Sequence, residues 1–383
     1  MKLKILLKFY LLLLFILLGS ACAAKNTVPN ILIAPKVLSI NNTNSLLAVA
    51  DSQNNNLSLI SLSNNSIIGG SPIINQNSSI TLPALPQDLA TYSLGNSVTR
   101  IFIIGTGSTP SNTMMVLDYN PSTGIALSSI SPITVGSGSS DELLGLAVNS
   151  TLGVVYVSDY TASVIRAYNA TTGAEVTGSP ITVQANPSKM HWNPSTSQLI
   201  VSSLTTTSIS FINTQNLAQA VQTFNVGAKT SAVASATNSS GTALFVIEPL
   251  VNNVLVYNLN VSTPSSSTQI GTTIIPPALG ATLSSTDVLS GAATDITAAP
   301  FSSGAIGGFF TQSTGDLGWI NVSANLSSYS AGRDSVLSGQ NAYGIDLQTD
   351  SSGNALNAYF AAPGGSSVSY INVVTNIFGG QIL

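Results

Sequence analysis

A two-strand unit recurs along this chain, and that repetition constrains the fold more than any other feature. Each copy opens on a polar turn rich in Asn, Ser, Gly or Asp and runs into an apolar strand. A second polar turn then leads into another strand, often closing on Tyr-Asn or Ile-Asn. The clearest copy is Asn149–Gly153, Val154–Val157, Ser158–Ser163 and Val164–Asn169. Others place Leu46–Val49, Arg100–Ile104, Gln198–Val201 with Ile209–Asn213, Ala243–Val246 with Val254–Asn258, Phe309–Phe310 with Trp319–Asn321, and Ala358–Phe360 with Val368–Asn372 in the same frame. That makes seven copies at spacings of roughly 44 to 64 residues. A second element, Ser-Pro-Ile, follows the second strand in three consecutive copies, at Ser71–Ile73, Ser131–Ile133 and Ser179–Ile181. Proline is tolerated at a strand start, where no ladder donor is lost.

A period near 50 residues accommodates four strands of about five residues with short turns, which is one blade of a β-propeller. A solenoid of this period would carry helices, and no stretch has a convincing helical repeat. Gln215–Val221 could supply one helical turn at most. The expectation is therefore an all-β, seven-bladed propeller of four-stranded blades over residues 36–383, preceded by a tether over 23–35 and a leader over 1–22. The sixth unit, about 280–340, departs furthest from the pattern, so six or eight blades stay open. Asn30–Ala34 is expected to pair with the last blade and close the ring, which removes exposed sheet edges.

The leader begins with Lys2, Lys4 and Lys8, continues with an apolar run from Phe9 to Leu18, and ends in small residues. That order is the n-, h- and cleavage-region order of a secretory signal. The run is too short for a span of about 20 residues. Cys22 is the only cysteine. Leu18-Gly19-Ser20-Ala21-Cys22 resembles a bacterial lipobox, although the usual leucine position three before the cysteine holds Gly19. The resemblance implies a lipid on Cys22 and anchorage in a membrane. With no aspartate at Ala23 or Ala24, it also implies an outer-membrane or cell-surface address. The rival is ordinary cleavage after Ala23, giving a periplasmic or secreted protein.

Only 6% of residues are charged, against about 25% in an average soluble domain. Beyond the leader, seven cations face fourteen acids, a net charge of −7 with no basic cluster. Nucleic acid is excluded as a partner, because binding it needs a phosphate-neutralising patch. The single histidine, His191, and the lack of other thiols exclude a His-rich metal site. Asp141-Glu142 is the only acidic pair and lacks the ligand spacing of a calcium loop. No metal or cofactor is therefore expected.

The units resemble the YVTN-type repeats of bacterial and archaeal surface-layer proteins, also found in lactonase-like seven-bladed propellers. Tyr156-Val157-Ser158-Asp159 and Asn238–Gly241 carry the closest echoes. The resemblance implies either a binding or scaffolding ring at the cell envelope, with envelope proteins or glycans as partners, or a lactonase-like hydrolase or cofactor-dependent oxidoreductase on the same fold. Lactonases of this kind use a His, Arg and carboxylate cluster near the channel, and none of those residues can be placed here by motif. The candidates for a channel site are His191, Arg166, Arg333 and Asp159, with Asp346 beside them. An enzyme requires them to converge at one channel mouth, and scatter around the rim favours binding. The Thr-Gly turns at Ser122–Gly124 and Thr171–Gly173 resemble those of quinone-cofactor propellers but lack the following tryptophan, so plain hairpin turns are expected. Ser313–Trp319 resembles an Asp-box with the wrong spacing, and a β-turn with a packed tryptophan is expected. Asn-x-Ser/Thr sequons abound, as they must in a chain so rich in these residues.

Overall fold

The computed structural model describes the chain from residue 35 to 382. It leaves out the loop stretches 52–55, 70–79, 106–111, 138–141, 275–288, 335–340 and 363–366, and single residues 81, 84, 251, 290 and 376. Cys22, the leader and Asn30–Ala34 lie outside the described residues, as does Asp141.

The described residues fold into seven antiparallel sheets, each built from one contiguous stretch of sequence. Blade 1 is β1 (Pro35–Asn41), β2 (Leu46–Asp51), β3 (Leu57–Ser61) and β4 (Ser66–Ile67). Blade 2 is β5 (Pro86–Gly95), β6 (Val98–Gly105), β7 (Thr113–Asn120), β8 (Gly124–Leu127) and β9 (Ile133–Thr134), with β8 and β9 both pairing to β7. Blade 3 is β10 (Leu143–Asn149), β11 (Val154–Asp159), β12 (Val164–Asn169) and β13 (Ile181–Thr182). Blade 4 is β14 (Pro187–Asn193), β15 (Gln198–Ser203), β16 (Ser208–Asn213) and β17 (Gln222–Asn225). Blade 5 is β18 (Ala232–Asn238), β19 (Gly241–Glu248), β20 (Asn253–Leu259) and β21 (Thr268–Gln269). Blade 6 is β22 (Ala293–Pro300), β23 (Ile306–Gln312), β24 (Leu317–Val322) and β25 (Tyr329–Asp334), and blade 7 is β26 (Ile345–Thr349), β27 (Ala355–Ala362), β28 (Ser367–Asn372) and β29 (Ile377–Ile382). The chain is a seven-bladed β-propeller.

The recurring pair of strands in the sequence is the second and third strand of each blade. The second strand lies mid-sheet with a neighbouring blade on each face, so it carries no polar face. Every residue of β2, β11, β15 and β23 is buried. The Ser-Pro-Ile element leads into the outer strand, as at β9 and β13. There Ser131 and Ser179 use their hydroxyls to accept the backbone N–H of Val116 and Ala167 at 2.9 and 3.0 Å. The hydroxyl thus replaces a ladder carbonyl before the outer strand begins. Residues 215–221 form turns with no helix, and a 3-10 turn at Pro264–Ser266 is the one helical element among the described residues.

The core is divided among the seams between blades. Seven apolar clusters each draw on two adjacent blades. The seventh joins Leu38, Leu47, Val49 and Ile60 of blade 1 to Tyr359, Ala361 and Val368 of blade 7. Burying such a side chain contributes about 1.5–3 kcal/mol, so each seam is a substantial joint. Closure here uses no exchanged strand among the described residues, since β29 completes blade 7 from its own sequence. Polar contacts support the closing seam. Gly344 N–H donates to Lys36 O at 3.1 Å, Thr349 N–H donates to Asn42 Oδ1 at 2.9 Å, and the Tyr359 hydroxyl donates to Asn65 Oδ1 at 2.6 Å.

Blade 6 departs from the repeat because it trades aliphatic residues for glycine–aromatic pairs. A Cβ on Gly308 would lie 2.6 Å from the Phe245 ring, and one on Gly318 or Gly332 would strike Phe310 or Trp319. The rings fill the space that Val or Ile fills elsewhere.

Asparagine sets the turns. Asn41, Asn149, Asn193 and Asn238 end their inner strands, and each Oδ1 accepts a backbone N–H two or three residues on. This is the Asx-turn that makes Asn common at such corners. The sequon residue Asn149 is fully buried, with Nδ2 donating to Thr214 Oγ1. The Thr-Gly segments are hairpin turns, with Gly124 and Gly173 at φ 85° and 74°. Gln312–Asp316 closes a tight turn before Trp319, which packs into the seam between blades 6 and 7.

Candidate functional site

The inner strands β1, β5, β10, β14, β18, β22 and β26 surround a central channel. At one level it holds a cavity of about 250 Å³ whose polar lining includes Asp88, Lys189, His191, Asp295 and Asp346. Inner strands are sheet edges, so their outward N–H groups need partners other than a neighbouring strand.

Three aspartates supply those partners in one repeated way. Asp88 on β5 accepts the N–H of the next residue, Leu89, at 3.1 Å and the N–H of Leu146 on the following blade at 2.7 Å. Asp346 on β26 accepts Leu347 N–H at 2.8 Å and, across the closing seam, Ile40 N–H at 2.8 Å. Asp295 on β22 accepts Ile296 N–H at 3.0 Å, and the N–H of Ile345 on blade 7 also bonds to it. Each carboxylate therefore ties its own blade to the next. Bonds of backbone N–H to a charged acceptor are the stronger kind.

Lys189 on β14 reaches across the channel. Its Nζ lies 2.8 Å from Asp88 Oδ1 and 3.9 Å from Asp295 Oδ2, linking blade 4 with blades 2 and 6. Burial opposes its charge, but the two carboxylates outweigh burial and raise its pKa. Lys36 is pushed the other way, by burial first and then by Lys189. Burial lifts Asp295 to about 6, against the pull of Lys189 and with the push of Asp88. Asp346 is likewise lifted to about 6 by burial, against its bonds to Ile40 and Leu347. His191 is held down to about 4 by burial, so its imidazole is neutral at pH 7, and its Nε2 has no hydrogen-bond partner. The channel thus has two carboxyls that take up protons in mild acid and one imidazole that resists doing so. Among the described residues, no three His, Cys, Asp or Glu side chains are grouped as metal ligands.

Of the channel candidates expected from sequence, the structure places His191 and Asp346 together at the cavity. Arg166, Asp159 and Arg333 are elsewhere, and their assignment to the channel is corrected. Arg166 sits on the third strand of blade 3, its Nε 3.3 Å from Asp159 Oδ2 at the end of β11 and its Nη1 3.4 Å from Glu175. Arg333 sits on the outer strand of blade 6, 3.7 Å from Asp316. Both pairs strut strands within a single blade, because a residue beyond the first strand cannot reach the axis. Sequence reasoning missed Asp88, Lys189 and Asp295. A signal for the acids was present: Asp88-Leu89, Asp295-Ile296 and Asp346-Leu347 each put Asp before an aliphatic residue at an inner-strand start.

No family model matches the chain. No curated protein sequence matches it either. Among solved structures it is similar to hydrazine synthase of Kuenenia stuttgartiensis, at 12% identity and a TM-score of 0.61, over 92% of this chain and 99% of that one. It is also similar to Raptor of Chaetomium thermophilum, at 12% identity and a TM-score of 0.56, over 88% of this chain. The match spans only 27% of the Raptor chain. At these identities the likeness is one of fold.

Proposed function

We propose that this protein is an exported propeller, held at the cell envelope or surface by a lipid on Cys22, that binds or scaffolds other envelope components. The leader and its single cysteine support the address. The observation that carries the binding reading is how the channel charges are used. Asp88, Asp295 and Asp346 bond the backbone of the next blade, and Lys189 is held between two of them. These groups fix the ring, and a fixed ring presents the Asn-, Ser- and Thr-rich loops that suit recognition. The rival reading, a lactonase-like hydrolase or cofactor-dependent oxidoreductase, needs the charged residues to converge on His191. Asp88, Lys189, Asp295 and Asp346 do line one cavity with His191, but the three carboxylates are taken up by backbone N–H groups and Lys189 by two of those carboxylates, whereas Arg166, Asp159 and Arg333 are committed to struts within blades.

Mass spectrometry of the mature N-terminus tests the address. A diacylated Cys22, lost together with membrane association in Cys22→Ala, is the expected result. An unmodified terminus at Ala24 defeats the anchor. Affinity capture from the native envelope with the same sample tests the binding role. A specific partner that dissociates on competition with soluble ring is expected, and turnover of a lactone by the ring that His191→Gln abolishes would overturn it.

A further inference from the structure

The repeat supplies its own controls at the end of the ring where the inner strands finish. There the corner between a blade's first two strands meets the turn between the third and fourth strands of the next blade. Four seams close this meeting with a polar side chain. Arg100 donates to Ala170 O and Thr171 O, Asn149 to Thr214 Oγ1, Gln198 to Val261 O and Asn238 to Ala324 O. In the seam between blades 1 and 2, no side chain of blade 1 bonds the corresponding turn at 120–124 among the described residues. Asn41 and Asn44 instead turn their amides to Thr99 Oγ1, at 3.3 and 2.7 Å.

A cavity of about 400 Å³ is left at this seam, within the range of roughly 300–1,000 Å³ typical of small-molecule sites. Every lining residue is described, and none is charged. Six of them carry hydroxyls: Thr43, Ser45, Ser61, Ser63, Ser97 and Tyr119. None of these hydroxyls has a hydrogen-bond partner among the described residues. The Asn44 carboxamide oxygen is also unspent, since its Nδ2 makes the bond to Thr99. Tyr119 is the most telling of the six. It is only 7% exposed and packs in the cluster that blades 1 and 2 share. Its hydroxyl has no partner and is not sealed from solvent, so the opening left to it is the cavity it lines. Burial raises its pKa, so the phenol keeps its proton and can donate. Leu46, Ile68 and Pro121 add apolar surface to the same wall.

We propose that the cavity between blades 1 and 2 binds an uncharged saccharide, with Tyr119 donating to a sugar oxygen. A sugar is dense in groups that both donate and accept, so it matches a wall of unspent hydroxyls and a free amide oxygen. Its C–H faces suit Leu46, Ile68 and Pro121. With no ion in the lining, nothing there repays the desolvation of a charged ligand. The other seams spend their polar groups on the ring itself, and only this one combines an open cavity with hydroxyls left over among the described residues. This inference rests on the binding reading above and names its ligand chemistry, but is independent of the lipid anchor.

The test applies the mature protein to an immobilised array of neutral and acidic oligosaccharides, then measures the best neutral one by titration calorimetry and by hydrogen exchange. Binding confined to neutral glycans is expected, with slowed exchange of the amides at 43–46 and 97–99. Tyr119→Phe should weaken binding roughly fivefold or more. It should melt as the parent does, because the hydroxyl it loses bonds nothing in the ring. Ser63→Tyr, which puts a ring into the cavity wall, should weaken binding roughly tenfold or more. A free disaccharide that competes as well as the longer chain makes a soluble sugar the ligand. Competition by the longer chain alone makes it an envelope polysaccharide, and either result supports the site. No array binding, binding of acidic glycans only, or parental affinity in both variants would overturn the proposal. So would capture of a protein that Ser63→Tyr abolishes while no sugar competes, which would put a peptide in the cavity. If an envelope partner captured by the parent is held unchanged by both variants, the binding function stands and this site falls.

Discussion

Replacing Lys189 with methionine removes the cation between Asp88 and Asp295 while keeping most of the apolar stem. Lys189 Nζ is 2.8 Å from Asp88 and 3.9 Å from Asp295, and the Lys189 side chain is 26% exposed. Breaking a buried pair by deleting one partner costs about 3–5 kcal/mol. The partial exposure puts this site near the bottom of that range, about 3 kcal/mol at pH 7.5. The cost must also depend on pH. Asp295 has its pKa raised to about 6, so the folded state holds that proton more tightly than the unfolded chain does. The associated stability is fully present below the unfolded value near 4 and is lost as pH rises through 6. At pH 4.5 Asp295 is largely neutral, and only Asp88 misses the lysine. The cost of Lys189→Met should fall to about half. Urea unfolding of parent and variant at pH 4.5 and 7.5 measures both values. Equal costs at the two pH values, or no cost at 7.5, would refute the assignment of Lys189 as a charge strut across the channel.

Asp346→Asn leaves one acceptor where two backbone N–H groups point, from Ile40 and Leu347, and should lose about 1–3 kcal/mol. Because the parent carboxyl, lifted to about 6, is relieved of its charge in acid, the loss read by urea unfolding should be larger at pH 4.5 than at 7.5. His191 has the opposite sign: its pKa is depressed to about 4, so its contribution is present above 6.5 and lost as pH falls through 4. His191→Gln should therefore gain on the parent by about 2 kcal/mol at pH 4.5, and the parent imidazole, the only one in the chain, should titrate near 4 by NMR. Arg100 binds both oxygens of Asp118 at 2.7 and 2.9 Å and donates to Ala170 O and Thr171 O of blade 3, both at 2.8 Å. Arg100→Ala should cost about 3–5 kcal/mol, and Arg100→Lys should recover less than half in the same melts, because an ammonium cannot span the fork.

The architecture was readable where burial is two-sided. Val154–Val157 and Ala243–Val246 are unbroken apolar runs because their strands have a blade on each face. The inner strands were not readable, since one end of each faces the channel. Pro187-Ser-Lys-Met-His-Trp-Asn193 mixes polar and apolar residues with no simple period. Outer strands such as Ile181–Thr182 are too short for any pattern. His191 could be placed because it lies just before an Asn turn that ends an inner strand. Arg166, Asp159 and Arg333 were misplaced because charge alone carries no radial coordinate. A charged side chain in a propeller can serve the axis or brace two strands of one blade, and only strand order separates the two.

That strand order changes what the scarcity of charge means. Six cations lie among the described residues, and Arg100, Arg166, Lys189 and Arg333 are all ion-paired. Their side chains are only 6, 14, 26 and 13% exposed. The paired cations brace the ring from within, and the rim, apart from exposed acids such as Glu142 and Glu175, is solvated by Asn, Ser and Thr, whose state does not change with pH. Between about pH 4 and 6.5 acid should therefore act chiefly on the channel, where Asp295 and Asp346 gain protons and His191 is pressed to do so. The carboxyls and the imidazole pull stability in opposite directions across the same window, between about pH 4 and 6.5. Two carboxyls against one imidazole leave the parent no less stable at pH 4.5 than at 7.5. A parent protein that unfolds cooperatively on acidification to pH 4.5 would contradict this balance.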